Sequence, residues 1–367
     1  MNQVQALEKH PCPECGGDAE WNAAKQALVC PFCGTTLPFS PAVPQAGDGV
    51  REHPLEEALA GLRGGERGWG EAKQTVSCQS CHAISVFDAA RVAQRCEFCG
   101  SPSIVPQTAL QDAIKPESLL PAAIPEPKIR EELRKWYGSR WFAPNKLKNA
   151  AMTDTLHGIY LPYWTFDAHV SAQWTAEAGY HYYTTERVRG SDGKETERQV
   201  QHTRWQYASG SLAHFFDDEL VPGTVGVHEA LLREIEPFPT QDLKPYDPAF
   251  VRGWTVERYQ LDLRKAAEKN FEEMEEQVRA LCAQEVPGDT HRNLQVQSQY
   301  QGRTFKHILV PVCLVTYNYG AKSFQVVVNG YTGKIAGERP YSWVKIFFAA
   351  LAVLILLLIV ISLSQGQ

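Results

Sequence analysis

The chain has 367 residues and a formal net charge of −6, with 44% hydrophobic and 21% charged residues. This length allows one sizeable core together with small modules. The acidic balance argues against a protein whose main ligand is nucleic acid, because phosphate contacts require clustered Lys and Arg. Residues 1–105 carry eight Lys and Arg against twelve Asp and Glu, a net −4, so nucleic acid is not the expected ligand of this region either.

Eight of the ten cysteines form four Cys-x-x-Cys pairs near the start of the chain. Fourteen residues separate the first two pairs, and fourteen again separate the second two. Four thiolates on two tight turns, brought together by a short hairpin, suit tetrahedral zinc. The sequence therefore predicts two zinc ribbons, over 10–39 and 75–105, which hold two zinc ions through Cys12, Cys15, Cys30, Cys33, Cys78, Cys81, Cys96 and Cys99.

Three other chemistries use cysteines at this spacing. The segment Cys78–His82 also matches the c-type haem attachment pattern, but Cys96 and Cys99 complete a four-sulfur set with it. Iron in a rubredoxin-like site needs the same four ligands and stays open beside zinc. A thiol oxidoreductase is a further candidate, although such enzymes normally use one Cys-x-x-Cys pair at the start of a helix.

Between and after the ribbons, the sequence predicts a flexible linker and then a larger domain. Residues 40–74 are rich in Pro, Gly and Ala, which is typical of a linker. Over 115–340 we predict an α+β domain with antiparallel strands. Aromatic and β-branched residues alternate over Ile159–Thr185, which indicates a long strand or hairpin. The best predicted helix of this domain is Gln260–Glu285.

Two segments of the predicted domain look alike, Ile159–Trp164 and Ile308–Val312, and they suggest two similar β layers. Aromatic side chains along the first segment could stack on nucleic-acid bases, but alternating strand aromatics usually form core. Cys282 and Cys313 are predicted to be buried apolar residues. The chain carries no phosphate-binding loop, nucleophile elbow or zinc-protease motif, so we predict that it is not an enzyme.

The C-terminal region predicts a membrane anchor. The apolar run from Ile346 to Leu363 is about 27 Å long at 1.5 Å per residue, close to the thickness of the bilayer hydrocarbon. Trp343 and Lys345 stand where interfacial residues are expected. We therefore predict a transmembrane helix over 343–363 in a single-pass, tail-anchored protein. Basic residues before this span, and no apparent signal peptide, place the bulk of the chain in the cytoplasm.

With these features, the chain resembles a bacterial family of membrane-anchored double zinc-ribbon proteins. Its members are often catalogued as transcription-factor-IIB-type zinc-ribbon proteins, or as primosomal helicase-like. The resemblance rests on the eight ribbon cysteines and on five segments, Leu119–Pro121, Arg140–Pro144, Tyr160–Asp167, Pro245–Pro248 and Asn329–Lys334.

This resemblance implies a function as well as a metal-ligand role for the cysteines. It implies association with SPFH (band-7) or phage-shock-A-type membrane proteins, and a function in membrane organisation or envelope stress. Helicase activity is not expected, because the motor motifs are absent. We therefore expect a cytoplasm-facing adaptor or scaffold that docks protein partners at the lipid bilayer. The alternative is a membrane-tethered, nucleic-acid-binding zinc-ribbon protein.

Overall fold

The computed structural model describes residues 11–37, 50–61, 73–88, 96, 98, 101, 104–107, 114–140, 142–143, 156–189, 195–319, 322–339 and 342–365. Within these residues the protein is of the α+β class, with one small three-stranded sheet and one large mixed sheet. The α+β class predicted from the sequence is therefore confirmed, while the membrane helix predicted with it is corrected below.

The described residues form fifteen strands and five helices. The strands are β1 (Glu20–Asn22), β2 (Ala27–Val29), β3 (Thr36–Leu37), β4 (His53–Pro54), β5 (Lys73–Cys78), β6 (Ile84–Asp88), β7 (Ile104–Gln107), β8 (Ser118–Leu119), β9 (His157–Arg189), β10 (Glu195–Pro222), β11 (Lys244–Pro245), β12 (Thr255–Glu257), β13 (Thr290–Tyr319), β14 (Lys322–Asn329) and β15 (Ile335–Gly337). The helices are α1 (Leu55–Gly61), α2 (Glu126–Gly138), α3 (Glu229–Ile235), α4 (Leu263–Glu285) and α5 (Trp343–Gln365), with short 3₁₀ turns at Thr240–Asp242 and Pro248–Val251.

Three very long strands form the middle of the large sheet. The predicted strand at Ile159–Thr185 lies within β9, which pairs antiparallel with β10 on one side and with β13 on the other. The two look-alike segments lie opposite each other, with Pro162 facing Leu309 and Tyr160 facing Pro311. They are therefore neighbouring strands of one sheet, and the expectation of two similar layers is wrong.

Helix α4 covers the outer part of these strands. The predicted helix began three residues earlier, at Gln260; in the structure the Asp262 side chain caps the helix by accepting a hydrogen bond from the Lys265 N–H at 2.9 Å. Met274, Val278 and Cys282 follow at helical spacing and pack against alternate residues of β9, among them Ala172 and Trp174. The alternating pattern of β9 thus supplies one buried face for this helix.

Both faces of the inner part of the sheet are buried. Ile159, Leu161 and Tyr163 point into one hydrophobic cluster, whereas Tyr160 points into another on the opposite face. The five aromatic residues of this strand from Tyr160 to Trp174 are at most 5% exposed, which confirms that they form core; they are Tyr160, Tyr163, Trp164, Phe166 and Trp174. They are therefore not available to stack on nucleic-acid bases.

The two cysteine-bearing regions join the domain in different ways. The first ribbon, residues 11–37, has its own sheet of β1, β2 and β3. It contacts the domain through Trp21, whose ring packs edge-on to Phe250 at 4.7 Å between centroids and whose Nε1–H donates to the Ala122 carbonyl at 3.2 Å. The second ribbon, the described residues between 73 and 107, extends the large sheet instead, because β6 pairs with β12.

The prediction of a membrane anchor is wrong. The segment is a helix, α5, but in the part of the chain that the structure describes no helix is long and apolar enough to cross a membrane. The predicted transmembrane helix over 343–363, the tail anchor and the single-pass membrane location are therefore withdrawn.

Candidate metal centres

The first predicted ligand set comes together in the structure. The sulfur atoms of Cys12, Cys15, Cys30 and Cys33 all lie within 4.8 Å of one another. Two of the contacts cross between the pairs, Cys12 to Cys33 and Cys15 to Cys30, each at 3.4 Å between sulfurs. A tetrahedral zinc site with Zn–S bonds of about 2.3 Å places its sulfurs about 3.8 Å apart. These four residues therefore form a cluster that could hold a metal ion.

The second set is described in part. The sulfurs of Cys78, Cys81 and Cys96 also lie within 4.8 Å of one another, with 3.6 Å between Cys81 and Cys96. Cys99, the predicted fourth ligand, lies outside the described residues. Three thiols at this separation could hold a metal ion with one further ligand. The backbone N–H groups of Ser80 and Phe98 face the Cys78 and Cys96 sulfurs at 3.4 Å, as metal-bound thiolates require of their surroundings.

One backbone turn recurs at the described pairs. The N–H of the first cysteine donates to the carbonyl five residues later, as from Cys12 to Gly17, from Cys30 to Thr35 and from Cys78 to Ala83. The N–H four residues on returns a bond to the carbonyl of that cysteine. This closes each pair into a tight knuckle, which aims both sulfurs of a pair at the same point.

The knuckle explains the glycines that follow two of the described pairs. Gly16 and Gly34 have φ angles of 71° and 76°, in the left-handed region that glycine enters without steric cost. In the second ribbon the equivalent position is His82, with φ 62°. Its side chain is exposed. His82 therefore adopts a strained conformation because the knuckle demands it.

Two thiols of the first cluster have pKa values shifted in opposite directions. The pKa of Cys33 is lowered to about 6, first by hydrogen bonding to the side chain of Thr35, whose hydroxyl lies 3.1 Å from the sulfur. A hydrogen bond from the Gly17 backbone lowers the pKa of Cys15. Hydrogen bonding with the neighbouring Cys30 and Cys33 sulfurs has a larger, opposite effect, and the pKa is raised to about 12. Four close sulfurs thus resist becoming four thiolates, and a divalent cation would relieve that repulsion.

No described cysteine forms a disulfide. Cys282 and Cys313 stand apart from the two clusters and are buried, at 0% and 3% exposure, as the sequence predicted. Burial raises the pKa of both thiols, that of Cys313 to about 12. They are therefore packing residues of the core.

The same motif position has opposite surroundings in the two ribbons. Both ribbons contain a Cys-x-Phe-Cys pair, with Phe32 in the first and Phe98 in the second. Phe32 is 78% exposed, whereas Phe98 is 0% exposed and belongs to the main core cluster with Leu120 and Tyr163. The first ribbon therefore presents an aromatic ring to its surroundings, and the second inserts its ring into the domain.

Sequence reasoning missed a buried carboxyl group beside the second ribbon. Glu257 on β12 is 0% exposed, and burial raises its pKa to about 8. Its Oε1 accepts a hydrogen bond from the Gln260 side chain at 3.0 Å. A Cβ on Gly226 would lie 2.8 Å from Ala83, 3.0 Å from Phe98 and 3.3 Å from this oxygen, so the backbone approaches the ribbon closely here. Nothing in the local sequence marks either residue, because their neighbours come from distant segments.

Comparison with known proteins gives one relative and no assigned function. No protein-family model matches the chain, and no solved structure matches it. The chain is 23% identical over 354 residues to the uncharacterized protein YdjG of Bacillus subtilis (strain 168), an alignment that covers 92% of this chain and 91% of that protein. The similarity therefore extends over nearly the whole length of both proteins and is not confined to one short segment.

Proposed function

We propose that this protein is a non-enzymatic, zinc-bearing adaptor whose first ribbon docks protein partners. The observation that carries the proposal is the exposed end of that ribbon, where Phe32 is 78% exposed beside the exposed residues Cys15 and Cys33. Large exposed aromatic side chains are favoured anchors of protein interfaces. Trp21 holds the same ribbon on the domain, so the anchor is presented on a fixed support.

Zinc is the metal that the ligand set supports best. Four thiolates in a tetrahedral arrangement suit zinc or iron, and two similar sites without an electron-transfer partner motif favour a structural ion. Cys99 completes the second site in this proposal, which gives two zinc ions per chain. Metal binding also supplies folding free energy to units as small as these ribbons.

The resemblance to the double zinc-ribbon family is part of this proposal. The matching lengths and near-complete alignment with YdjG support a shared organisation, without naming an activity. Partners of the SPFH (band-7) or phage-shock-A type remain a prediction from the resemblance. A nucleic-acid role has less support, because residues 1–105 carry a net −4 and strong phosphate binding needs clustered cations.

Metal analysis tests the zinc proposal. Purified protein should contain about two zinc ions per chain, with Zn–S distances near 2.3 Å by X-ray absorption. Cys30→Ser should reduce the content to about one, because each set of four sulfurs binds a single ion. Iron in place of zinc, or an unchanged metal content in this variant, would contradict the proposal.

Site-specific cross-linking tests the docking role. A photoreactive phenylalanine analogue at Phe32 should cross-link to a partner protein in cells, and Cys30→Ser should abolish the product by unfolding the ribbon. The same analogue at Tyr207, which is 75% exposed on β10, is the matched control. Equal products from both positions would exclude a specific docking end. Micromolar DNA binding by the intact protein with a steep salt dependence would favour the nucleic-acid alternative instead.

A further inference from the structure

A cavity of about 460 Å³ lies where the first ribbon meets the domain. We call it the ribbon cavity and define it by Trp21 of β1, Ile129 of α2, Gly158 of β9, and Arg252 and Trp254 of the loop before β12. Its volume is within the range of roughly 300–1,000 Å³ that is usual for small-molecule sites. None of the described cysteines of the two candidate metal centres lines it.

A cationic side chain, Arg252, lines the ribbon cavity. Its Nε and Nη2 atoms are buried, and no residue in the described part of the chain supplies a hydrogen-bond partner to either of them. No described carboxylate forms an ion pair with this guanidinium within 4.0 Å. Buried N–H donors without acceptors are costly, and a guanidinium matches the two oxygens of a carboxylate. The feature therefore points to an anionic ligand group.

Aromatic and aliphatic side chains line part of the wall, beside the polar residues Glu20, Asn22 and Glu126. Trp254 lies flat against the backbone of β9, since a Cβ on Gly158 would approach its ring to 2.8 Å. Ile129 and Cys313 are 1% and 3% exposed, and Trp21 closes the ribbon side at 8%. Two indole rings and aliphatic groups around one cation favour a ligand with an apolar body and one charged end.

The charges at the rim select the kind of anion. Glu20 and Glu126 both line the ribbon cavity and are exposed, and Glu126 is held by Arg130 at 2.6 Å. Two carboxylates near one arginine disfavour a doubly charged phosphate more than a singly charged carboxylate. The N-terminus of α2, at Glu126, adds the positive end of a helix dipole to the same region.

From these observations we propose that the ribbon cavity binds a carboxylate carried on an aromatic or branched aliphatic body. Arg252 pairs with the carboxylate, and the Trp21 and Trp254 rings contact the body. Such a group can be the free C-terminus of a partner polypeptide or a free small organic acid. The site lies outside both metal clusters, so this inference goes beyond the proposed adaptor role.

Paired probes test the proposal on the intact, metal-loaded protein. N-acetyl-tryptophan has the required carboxylate, and N-acetyl-tryptophanamide has the same body without it. By titration calorimetry the acid should bind at least about ten-fold more tightly than the amide, because charge-assisted pairs to arginine are the strong ones. Equal affinities for the two probes, or no heat of binding from either, would overturn the proposal with the wild-type protein alone.

Substitutions then assign the effect to one side chain. Arg252→Met should reduce the affinity for N-acetyl-tryptophan to the affinity for the amide. It should not lower the thermal midpoint of unfolding, since it removes unpaired donors. Lys128→Met deletes a cation of α2 that pairs with Glu131 and Glu132 outside the ribbon cavity, and it should change the affinity less than about two-fold. An equal loss in both variants would show only a general charge effect and would overturn the assignment.

A final comparison separates the two ligand sources. An eight-residue peptide ending in tryptophan is titrated with a free C-terminus and with an amidated one. Tighter binding of the free-acid peptide than of N-acetyl-tryptophan identifies a polypeptide end. Binding of N-acetyl-tryptophan without binding of either peptide identifies a small organic acid. Both results support the carboxylate site, whereas tighter binding of the amidated peptide would overturn it.

Discussion

Phe32 and Phe98 occupy the same motif position, and truncating each ring should have very different consequences. Phe98 is 0% exposed among the residues of the main core, and its carbonyl accepts a hydrogen bond from the Thr316 hydroxyl. Removing a fully buried phenylalanine ring typically costs about 3–5 kcal/mol. Phe32 is 78% exposed, and a surface truncation typically changes stability by less than about 0.5 kcal/mol. Phe98→Ala should therefore destabilise the large sheet, and Phe32→Ala should not.

Hydrogen exchange followed by mass spectrometry measures this difference in the zinc-loaded protein. The opening free energy of the β9 and β13 amides should fall by about 3–5 kcal/mol in Phe98→Ala and stay within about 0.5 kcal/mol of wild type in Phe32→Ala. Phe98→Ala should also weaken metal binding at the second site, and Phe32→Ala should leave it unchanged. A loss below about 1 kcal/mol in Phe98→Ala, or equal losses in the two variants, would refute the view that the second ribbon is part of the main core.

The remaining predictions concern the knuckle, the buried carboxyl group and the first site. His82→Gly should stabilise the second ribbon by about 1 kcal/mol in denaturant unfolding, because it relieves a left-handed conformation at an exposed position; unchanged or lower stability would argue against strain there. Glu257 has its pKa raised from 4.5 to about 8, so the folded state keeps a proton that the unfolded state loses above pH 4.5. Stability should therefore fall between pH 4.5 and 8, by up to about 1.4 kcal/mol per pH unit, and Glu257→Gln should flatten that slope; parallel pH profiles would refute it. Removing the first metal through Cys30→Ser should raise hydrogen exchange in residues 11–37 while β9 stays protected, because that ribbon has its own sheet; exchange across the whole domain would contradict this.

Local patterns were enough to predict the long strand, the main helix and the two groups of cysteines that could hold a metal ion, of which Cys99 lies outside the described residues. The spacing of the cysteines follows from what one ion needs from two tight turns, so it can be read without knowing the rest of the fold. Helix α4 is similarly local, with a capping Asp262 and apolar residues at helical spacing. The alternation in Ile159–Thr185 indicated a strand, because side chains of a strand point to opposite faces.

Three features depended on contacts between distant segments, which no local pattern contains. Phe32 and Phe98 are equivalent in sequence, and only the pairing of β6 with β12 buries one of them. Because β9 pairs with β13, the two segments that were expected in separate layers lie in one sheet. The buried Glu257 likewise depends on where the second ribbon docks.

The sequence by itself determined that this protein has two clustered sets of cysteines and an α+β domain, because metal-ligand spacing and strand alternation are properties of short segments. The membrane anchor predicted from the apolar C-terminal run was wrong, because no helix in the part of the chain that the structure describes is long and apolar enough to cross a membrane. Only the tertiary structure decided which ribbon is built into the core and which carries an exposed ring. It also placed Arg252 at a cavity, with no acceptor for its Nε and Nη2 atoms among the described residues. These outcomes are decided by burial and pairing, whose free energies come from residues far apart along the chain.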